Sequence, residues 1–239
     1  APMKFKHSFL FFLVFSISFF SSAAAVEILP EYKEVFLPGG FDSTDNSQMI
    51  VFGEYKNSCY SQGNVDVNVD HKDKIVHVWM TQLFAQDTKC IQWVKPFTKV
   101  VDLGILKKGD YEIFLNTENE GRNLPVSMAN NSGPDERPYA PVSQVTYDQH
   151  NNELTVKGIL LDSCAKFERL ETIYEKNRKV VAVLPILDPR ENCSPEASFN
   201  VWEAKTKLDL DQLNRLTLVH VRSMNGESKN LVIQPILEK

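Results

Sequence analysis

The sequence lacks the short motifs on which common enzyme sites are built. It contains no His-Glu-x-x-His zinc motif, no Gly-x-Ser-x-Gly elbow, no Walker loop and no dinucleotide fingerprint. Its 4 cysteines include no Cys-x-x-Cys pair, and its 5 histidines stand at no fixed offset from them. We therefore predict no catalytic residue, no metal ligand and no cofactor.

Long apolar runs and basic clusters are also missing. No run of Lys or Arg exceeds two residues, and the formal net charge is −5 at pH 7. Such a chain has no electrostatic reason to bind nucleic acid or an anionic membrane. Beyond residue 25 no stretch approaches the 18 or so apolar residues of a membrane-spanning helix. We therefore expect no stable membrane insertion once the leader described next has been removed.

The first 25 residues have the layout of a leader. Lys4 and Lys6 precede an apolar stretch over 8–20, and Ala23 and Ala25 supply the small residues of a cleavage site. This order predicts a helical signal peptide that is cut after Ala25. The alternative, a membrane anchor, is disfavoured because the apolar stretch is too short for roughly 30 Å of hydrocarbon. The predicted location is therefore secreted or periplasmic.

One sequence pattern, V-x-G-x-x-x-[N/D]-S-C, occurs twice, over 51–59 and 156–164. A second cysteine follows each copy, Cys90 after Cys59 and Cys193 after Cys164. Because a duplicated unit should close on itself, we predict the disulfides Cys59–Cys90 and Cys164–Cys193, which suit an oxidising compartment. Because each predicted disulfide closes a loop of about 30 residues, each should stabilise the fold by about 3–4 kcal/mol.

Short strands dominate the rest of the chain. Val65, Val67 and Val69 alternate with polar residues, and a polar turn over 70–73 leads to a returning strand over 75–81. The second copy repeats this hairpin, and weak helix signals occur only at 166–175 and 208–213. The pattern predicts an all-β chain of two tandem antiparallel β-sandwich domains. The predicted parts are the signal peptide at 1–25 (residues 1 and 2 being a remnant), a first domain at 26–128, a linker at 129–140 and a second domain at 141–239.

The second half of the first copy follows the pattern C…F…L-x-x-L-x-x-G-x-Y-x-[V/I]-x-[V/L]-N. The residues that match are Cys90, Phe97, Leu103, Leu106, Gly109, Tyr111, Ile113, Leu115 and Asn116. In this respect the chain resembles small single-disulfide, Ig-like β-sandwich repeat domains of exported bacterial proteins. In the second copy Phe199 stands where Phe97 does, and the Gly and Tyr positions are not kept. The resemblance implies a fold and no particular activity.

Two local patterns suggest chemistry but have a structural explanation. Residues 66–70 open like a calcium loop, yet His71 stands where the loop needs Gly and His77 where it needs Glu. We therefore predict a strand with one polar face. Ser58 and Ser163 each precede the first cysteine of a copy, where a serine is expected to satisfy backbone hydrogen bonds.

The absence of a catalytic constellation favours a non-enzymatic interaction or envelope-associated module that binds a protein or glycan. Trp79 and Trp93 are the predicted partner-binding residues, because aromatic side chains anchor such partners. One alternative is a protease inhibitor that presents the segment 86–95 around Cys90. A second is a hydrolase whose site is assembled only in the fold, in which His71, His77, Asp66 and Asp73 would meet in a pocket.

Overall fold

The computed structural model describes residues 25–86, 89–130, 139–161, 163–189, 199–209 and 215–235. The predicted signal peptide therefore lies outside the described residues, except for Ala25. Strands of the first half are Ala25–Ile28 (β1), Tyr32–Phe36 (β2), Phe41–Asp42 (β3), Asn46–Tyr55 (β4), Tyr60–Asp70 (β5), Ile75–Ala85 (β6), Lys95–Ile105 (β7), Gly109–Leu115 (β8) and Arg122–Ser127 (β9). Strands of the second half are Gln144–Asp148 (β10), Glu153–Leu160 (β11), Ala165–Glu175 (β12), Val180–Pro189 (β13), Asn200–Lys207 (β14), Thr217–Arg222 (β15) and Ser228–Ile233 (β16).

The first half is a β-sandwich. A three-stranded sheet, β2-β4-β7, faces a six-stranded sheet in which β5 and β6 form a hairpin and β8 and β9 another. Because successive side chains of a strand point to opposite faces, Val76, Val78 and Met80 of β6 enter the core. Val51 and Val101 of the smaller sheet contribute to the same core.

The second half has the same order of strand pairing. Its three-stranded sheet is β10-β11-β14, and its four-stranded sheet is β12-β13-β15-β16. In the first half Val76 pairs with Ile113, and in the second Val181 pairs with Val219, so the register also agrees. This agreement provides a residue-by-residue correspondence between the two halves.

The expectation of purely antiparallel, Ig-like sheets is wrong in one respect. Strands β6 and β8 run parallel, as do β13 and β15. In each half the intervening strand, β7 or β14, lies in the opposite sheet, so the chain returns to the larger sheet in its original direction. The weak helix signal at 166–175 also gives way to strand β12, and a single 3-10 turn follows at Lys176–Arg178.

The end of the predicted linker belongs to the second half. Tyr139 forms a β-bridge with Ile186, and the amide of Ala140 donates to the carbonyl of Pro185 at 2.8 Å. Both residues are buried. Residues 131–138, the centre of the predicted linker, lie outside the described residues.

The two halves share an apolar contact. Phe36, Ile50 and Phe52, on the outer face of the smaller sheet of the first half, pack against Val180 and Leu218 of the second half. All five are buried. Within the described ranges no helix is long and apolar enough to cross a membrane.

Candidate binding surfaces

The first surface is the segment that follows β6, which we call the disulfide loop (86–95, described except for 87 and 88). Cys59 and Cys90 are joined by a disulfide with their Cα atoms 5.3 Å apart, which is the pairing that the repeat predicts. The hydroxyl of Ser58 accepts a hydrogen bond from the amide of Ile91 at 2.9 Å. The Ser58 amide donates to the Ile91 carbonyl at 3.1 Å. The chain beside Cys90 is therefore held at two adjacent residues.

This loop exposes large apolar side chains to solvent. Ile91 is 69% exposed, Trp93 67% and Val94 52%. Scattered exposed apolar residues need no explanation, but three of them within four positions of a covalently tied loop form a patch. The predicted partner-binding residue Trp93 lies at its centre.

The equivalent region of the second half is only partly described. Cys164 is disulfide-bonded, and its predicted partner Cys193 lies outside the described residues. Phe199 and Val201, where the chain re-enters the second half, are 78% and 75% exposed. The second half therefore also exposes apolar side chains at the start of β14.

The second surface, which we call the open face, is the outer side of the six-stranded sheet. It is formed by Asp66, Asn68, His77, Trp79 and Phe114 on β5, β6 and β8. Trp79 is the direct cross-strand neighbour of Asp66, and His77 stands between Asn68 and Phe114. The His77 and Phe114 rings stack with centroids 5.4 Å apart and planes inclined by 26°. The predicted partner-binding residue Trp79 is 45% exposed there.

The residues of the hydrolase alternative are only partly brought together. His71 and His77 both line a depression of about 290 Å³, together with Asn68 and Asp70. Asp66 and Asp73 are not among its lining residues. His71 Nδ1 lies 3.0 Å from the Tyr111 hydroxyl, and no group of three potential metal ligands occurs among the described residues. The predicted four-residue cluster is therefore not formed.

The calcium-like segment is a strand that ends in a turn. One oxygen of Asp70 accepts hydrogen bonds from the amides of Lys72 at 2.8 Å and Asp73 at 3.0 Å. These two bonds stabilise the carboxylate and hold the pKa of Asp70 below its usual value. The Asp70 side chain thus closes the β5–β6 hairpin as an Asx turn does.

The third surface is a groove of about 510 Å³ between the halves. Arg178 donates from Nη1 to the carbonyls of Leu37 at 3.0 Å and Asn123 at 3.3 Å, and Lys179 pairs with Glu34. At the groove wall Arg122 forms an ion pair with Glu118, which also accepts a hydrogen bond from Tyr32. Burial, followed by that carboxylate, raises the pKa of Tyr32 to about 12. The contacts of Arg178 and Lys179 join the halves, and Arg178 also lies 3.6 Å from Glu175. Because each of these cations has a carboxylate partner, the groove offers little net charge to a ligand.

A further contact between the halves centres on Arg222. Its Nη2 donates to the carbonyls of Gly39 at 2.9 Å and Gly40 at 2.7 Å, and its guanidinium carbon lies 4.9 Å from the ring centroid of Phe41. Glu175 accepts a hydrogen bond from the Gly39 amide at 2.8 Å, and burial raises the pKa of this carboxyl group. These contacts were missed by sequence reasoning, because a single charged residue in a strand gives no signal of a partner 183 positions away.

The chain is an all-β protein in which sheets pack as β-sandwiches. Residues 49–124 match the family model described as the ORF11 beta-sandwich domain, which is about a third of the chain. The matched segment runs from β4 into β9 and contains Cys59, Cys90, Trp79 and Trp93. No curated protein matches the chain, and no solved structure does.

Proposed function

We propose that the protein is an exported, non-enzymatic binding protein built from two tandem β-sandwich domains related by duplication. Three observations support the duplication: the repeated V-x-G-x-x-x-[N/D]-S-C pattern, the shared order of strand pairing and the matching parallel register. The disulfide is compatible with an oxidising compartment. Determining the amino-terminal residue of the exported protein tests the predicted signal peptide. We expect the mature protein to begin at Val26.

The observation that carries the binding function is the apolar disulfide loop. Ile91, Trp93 and Val94 are exposed, and the Cys59–Cys90 disulfide with the hydrogen bonds of Ser58 holds the segment in place. A loop that is ordered before binding loses less conformational entropy when a partner docks. Tryptophan is enriched among residues that dominate protein interfaces. We therefore assign the loop to contact with a partner protein.

The test is retention of a partner by the immobilised, oxidised protein from envelope and culture fractions of its host. We expect one protein to be retained through salt washing by the wild type and lost from Trp93→Ala. Phe199→Ala is the matched control, since it removes an aromatic side chain that is at least as exposed on the other half. Equal retention by Trp93→Ala and the wild type would argue against the disulfide loop.

A second candidate, protease inhibition, uses the same loop. The disulfide at Cys90 and the hydrogen bonds of Ser58 restrict the conformation of the loop, as a substrate-like inhibitory loop requires. Titration of serine and cysteine proteases with micromolar oxidised protein distinguishes the two candidates. Stoichiometric inhibition that disappears on reduction would favour the protease inhibitor. Unchanged activity of every protease would argue against inhibition and favour the binding protein.

A further inference from the structure

The open face has a counterpart in the second half that is covered. By the shared register, His77 corresponds to Ala182 and Phe114 to His220. Ala182 and His220 are 3% and 1% exposed, and the His220 ring meets Phe41 of the first half edge-on at 6.3 Å between centroids. His77, by contrast, is exposed.

Trp79 shows the same contrast. Its counterpart is Leu184, which is buried in a small cluster with Tyr139 and Ile186. Trp79 itself is 45% exposed, and no hydrogen bond of its indole occurs within the described residues. Among the described residues, the same side of the larger sheet is therefore covered by protein in the second half and exposed in the first.

The open face does not keep both apolar residues through which the equivalent face of the second half packs against the first half. In the second half Val180 and Leu218 meet the first half through an apolar cluster. The corresponding residues of the first half are Ile75 and Glu112, and Glu112 is exposed. Since a carboxylate is costly to bury without a partner, this face does not suit a second apolar sheet.

The open face has an aromatic surface beside polar side chains that can still form hydrogen bonds. Asp66 and Asn68 are exposed and form no side-chain hydrogen bond within the described part of the chain. Asp66 is the cross-strand neighbour of Trp79, and Asn68 is the cross-strand neighbour of His77. The polar depression of about 290 Å³ adjoins His77 and Asn68.

We propose that the open face binds a neutral oligosaccharide. A pyranose ring has an apolar face that packs on an indole, and it has hydroxyl groups that both donate and accept hydrogen bonds. Trp79 provides the stacking surface, Asp66 accepts, and Asn68 does both. Side chains on one face of a strand repeat at roughly 6.7 Å, so Trp79 and His77 are spaced on the scale of successive sugar units. This site is separate from the disulfide loop and does not depend on it.

The experiment uses the full-length oxidised protein and five probes: cello-, chito-, malto-, laminari- and xylohexaose. Binding is followed by calorimetry and by tryptophan fluorescence. We expect at least one probe to bind with a Kd below about 1 mM, and Trp79→Ala to weaken it by about tenfold or more. Trp93→Ala is the control that should leave saccharide binding unchanged, although it abolishes partner retention by the disulfide loop.

If Trp79→Ala lowers the melting temperature, Asp66→Ala and Asn68→Ala replace it as tests. Within the described residues neither side chain forms a hydrogen bond, and each substitution should weaken saccharide binding by about fivefold. Failure of all five probes to bind at about 10 mM would overturn the proposal. It would also be overturned if retention of a protein were lost in Trp79→Ala and kept in Trp93→Ala, because the open face would then be a protein interface.

Discussion

Trp202 lies directly across the β11–β14 pair from Gly158, and its indole occupies the space that a side chain at position 158 would need. A Cβ atom on Gly158 would stand 2.5 Å from the indole Nε1 and 1.8 Å from the carbonyl oxygen of Pro141. Phe97 lies across β4–β7 from Gly53 in the same way. In both halves a glycine thus admits an aromatic ring onto the strand opposite.

Gly158→Ala should therefore destabilise the second half strongly. The added methyl group meets a backbone oxygen, which cannot move aside as a flexible side chain can, so we expect a loss of about 3 kcal/mol. Urea denaturation measures it. Thr155→Ala, on the same strand, is the control and should change the free energy of unfolding by less than about 0.5 kcal/mol. An equally small effect of both variants would contradict the close approach of Trp202.

This pairing also shows where sequence reasoning reached its limit. Counting from the cysteines aligns Phe97 with Phe199, but Phe199 is exposed and the structural counterpart of Phe97 is the buried Trp202. The spacing from the repeat glycine would have found it, since Phe97 follows Gly53 at the same distance as Trp202 follows Gly158. The count from the cysteines fails because Cys193 stands 35 positions after Gly158, whereas Cys90 stands 37 positions after Gly53.

Local features were predictable and distant contacts were not. Alternation of valines with polar residues places the β5–β6 hairpin correctly, and the repeat identifies Cys90 as the partner of Cys59. Strands β6 and β8 pair in parallel because β7 lies in the opposite sheet. The alternation of apolar and polar residues does not indicate which sheet a strand joins. Arg222 likewise meets Gly39 only because the halves dock.

Removing the disulfide should weaken both the fold and the loop. Cys90→Ser frees a loop that spans a sequence separation of 31 residues, so we expect a loss of about 3–4 kcal/mol. The disulfide loop should also become more susceptible to proteolysis, because it loses the disulfide and is then held by the hydrogen bonds of Ser58. Chemical denaturation and limited proteolysis check these outcomes. Ser58→Ala removes the hydrogen bond that the hydroxyl accepts from the Ile91 amide but keeps the backbone bond to the Ile91 carbonyl, so it should cost only about 1 kcal/mol.

Disrupting the apolar contact between the halves should uncouple their unfolding. Leu218 is fully buried against Phe36 and Ile50, so Leu218→Ala should cost about 2–5 kcal/mol. Because the lost contact joins the halves, calorimetry should resolve two transitions in the variant. Val201→Ala removes an exposed apolar side chain and serves as the control. A single transition with unchanged cooperativity in Leu218→Ala would show that the cluster does not couple the halves.

Acidification should destabilise the protein through His220. This side chain is fully buried at the junction, with Nδ1 2.8 Å from Asn230 Oδ1 and with Arg222 nearby. Burial lowers the pKa of His220 from 6.5 to about 4, and the charge of Arg222 acts in the same direction. Between these values the unfolded chain binds a proton that the folded protein does not. Stability should therefore fall as the pH is lowered from about 6.5 to about 4, by at most about 3 kcal/mol.

Glu175 acts in the opposite direction and provides the matched variant. Because burial raises its pKa above the usual 4.5, the folded protein takes up this proton before the unfolded chain does, which offsets part of the loss. Urea denaturation at pH 7, 5.5 and 4.5 should thus give a flatter decline for His220→Gln than for the wild type, and a steeper one for Glu175→Gln. Parallel declines for the wild type and His220→Gln would mean that other groups control the acid response, since the lowered pKa of His220 requires the two to diverge below pH 6.5.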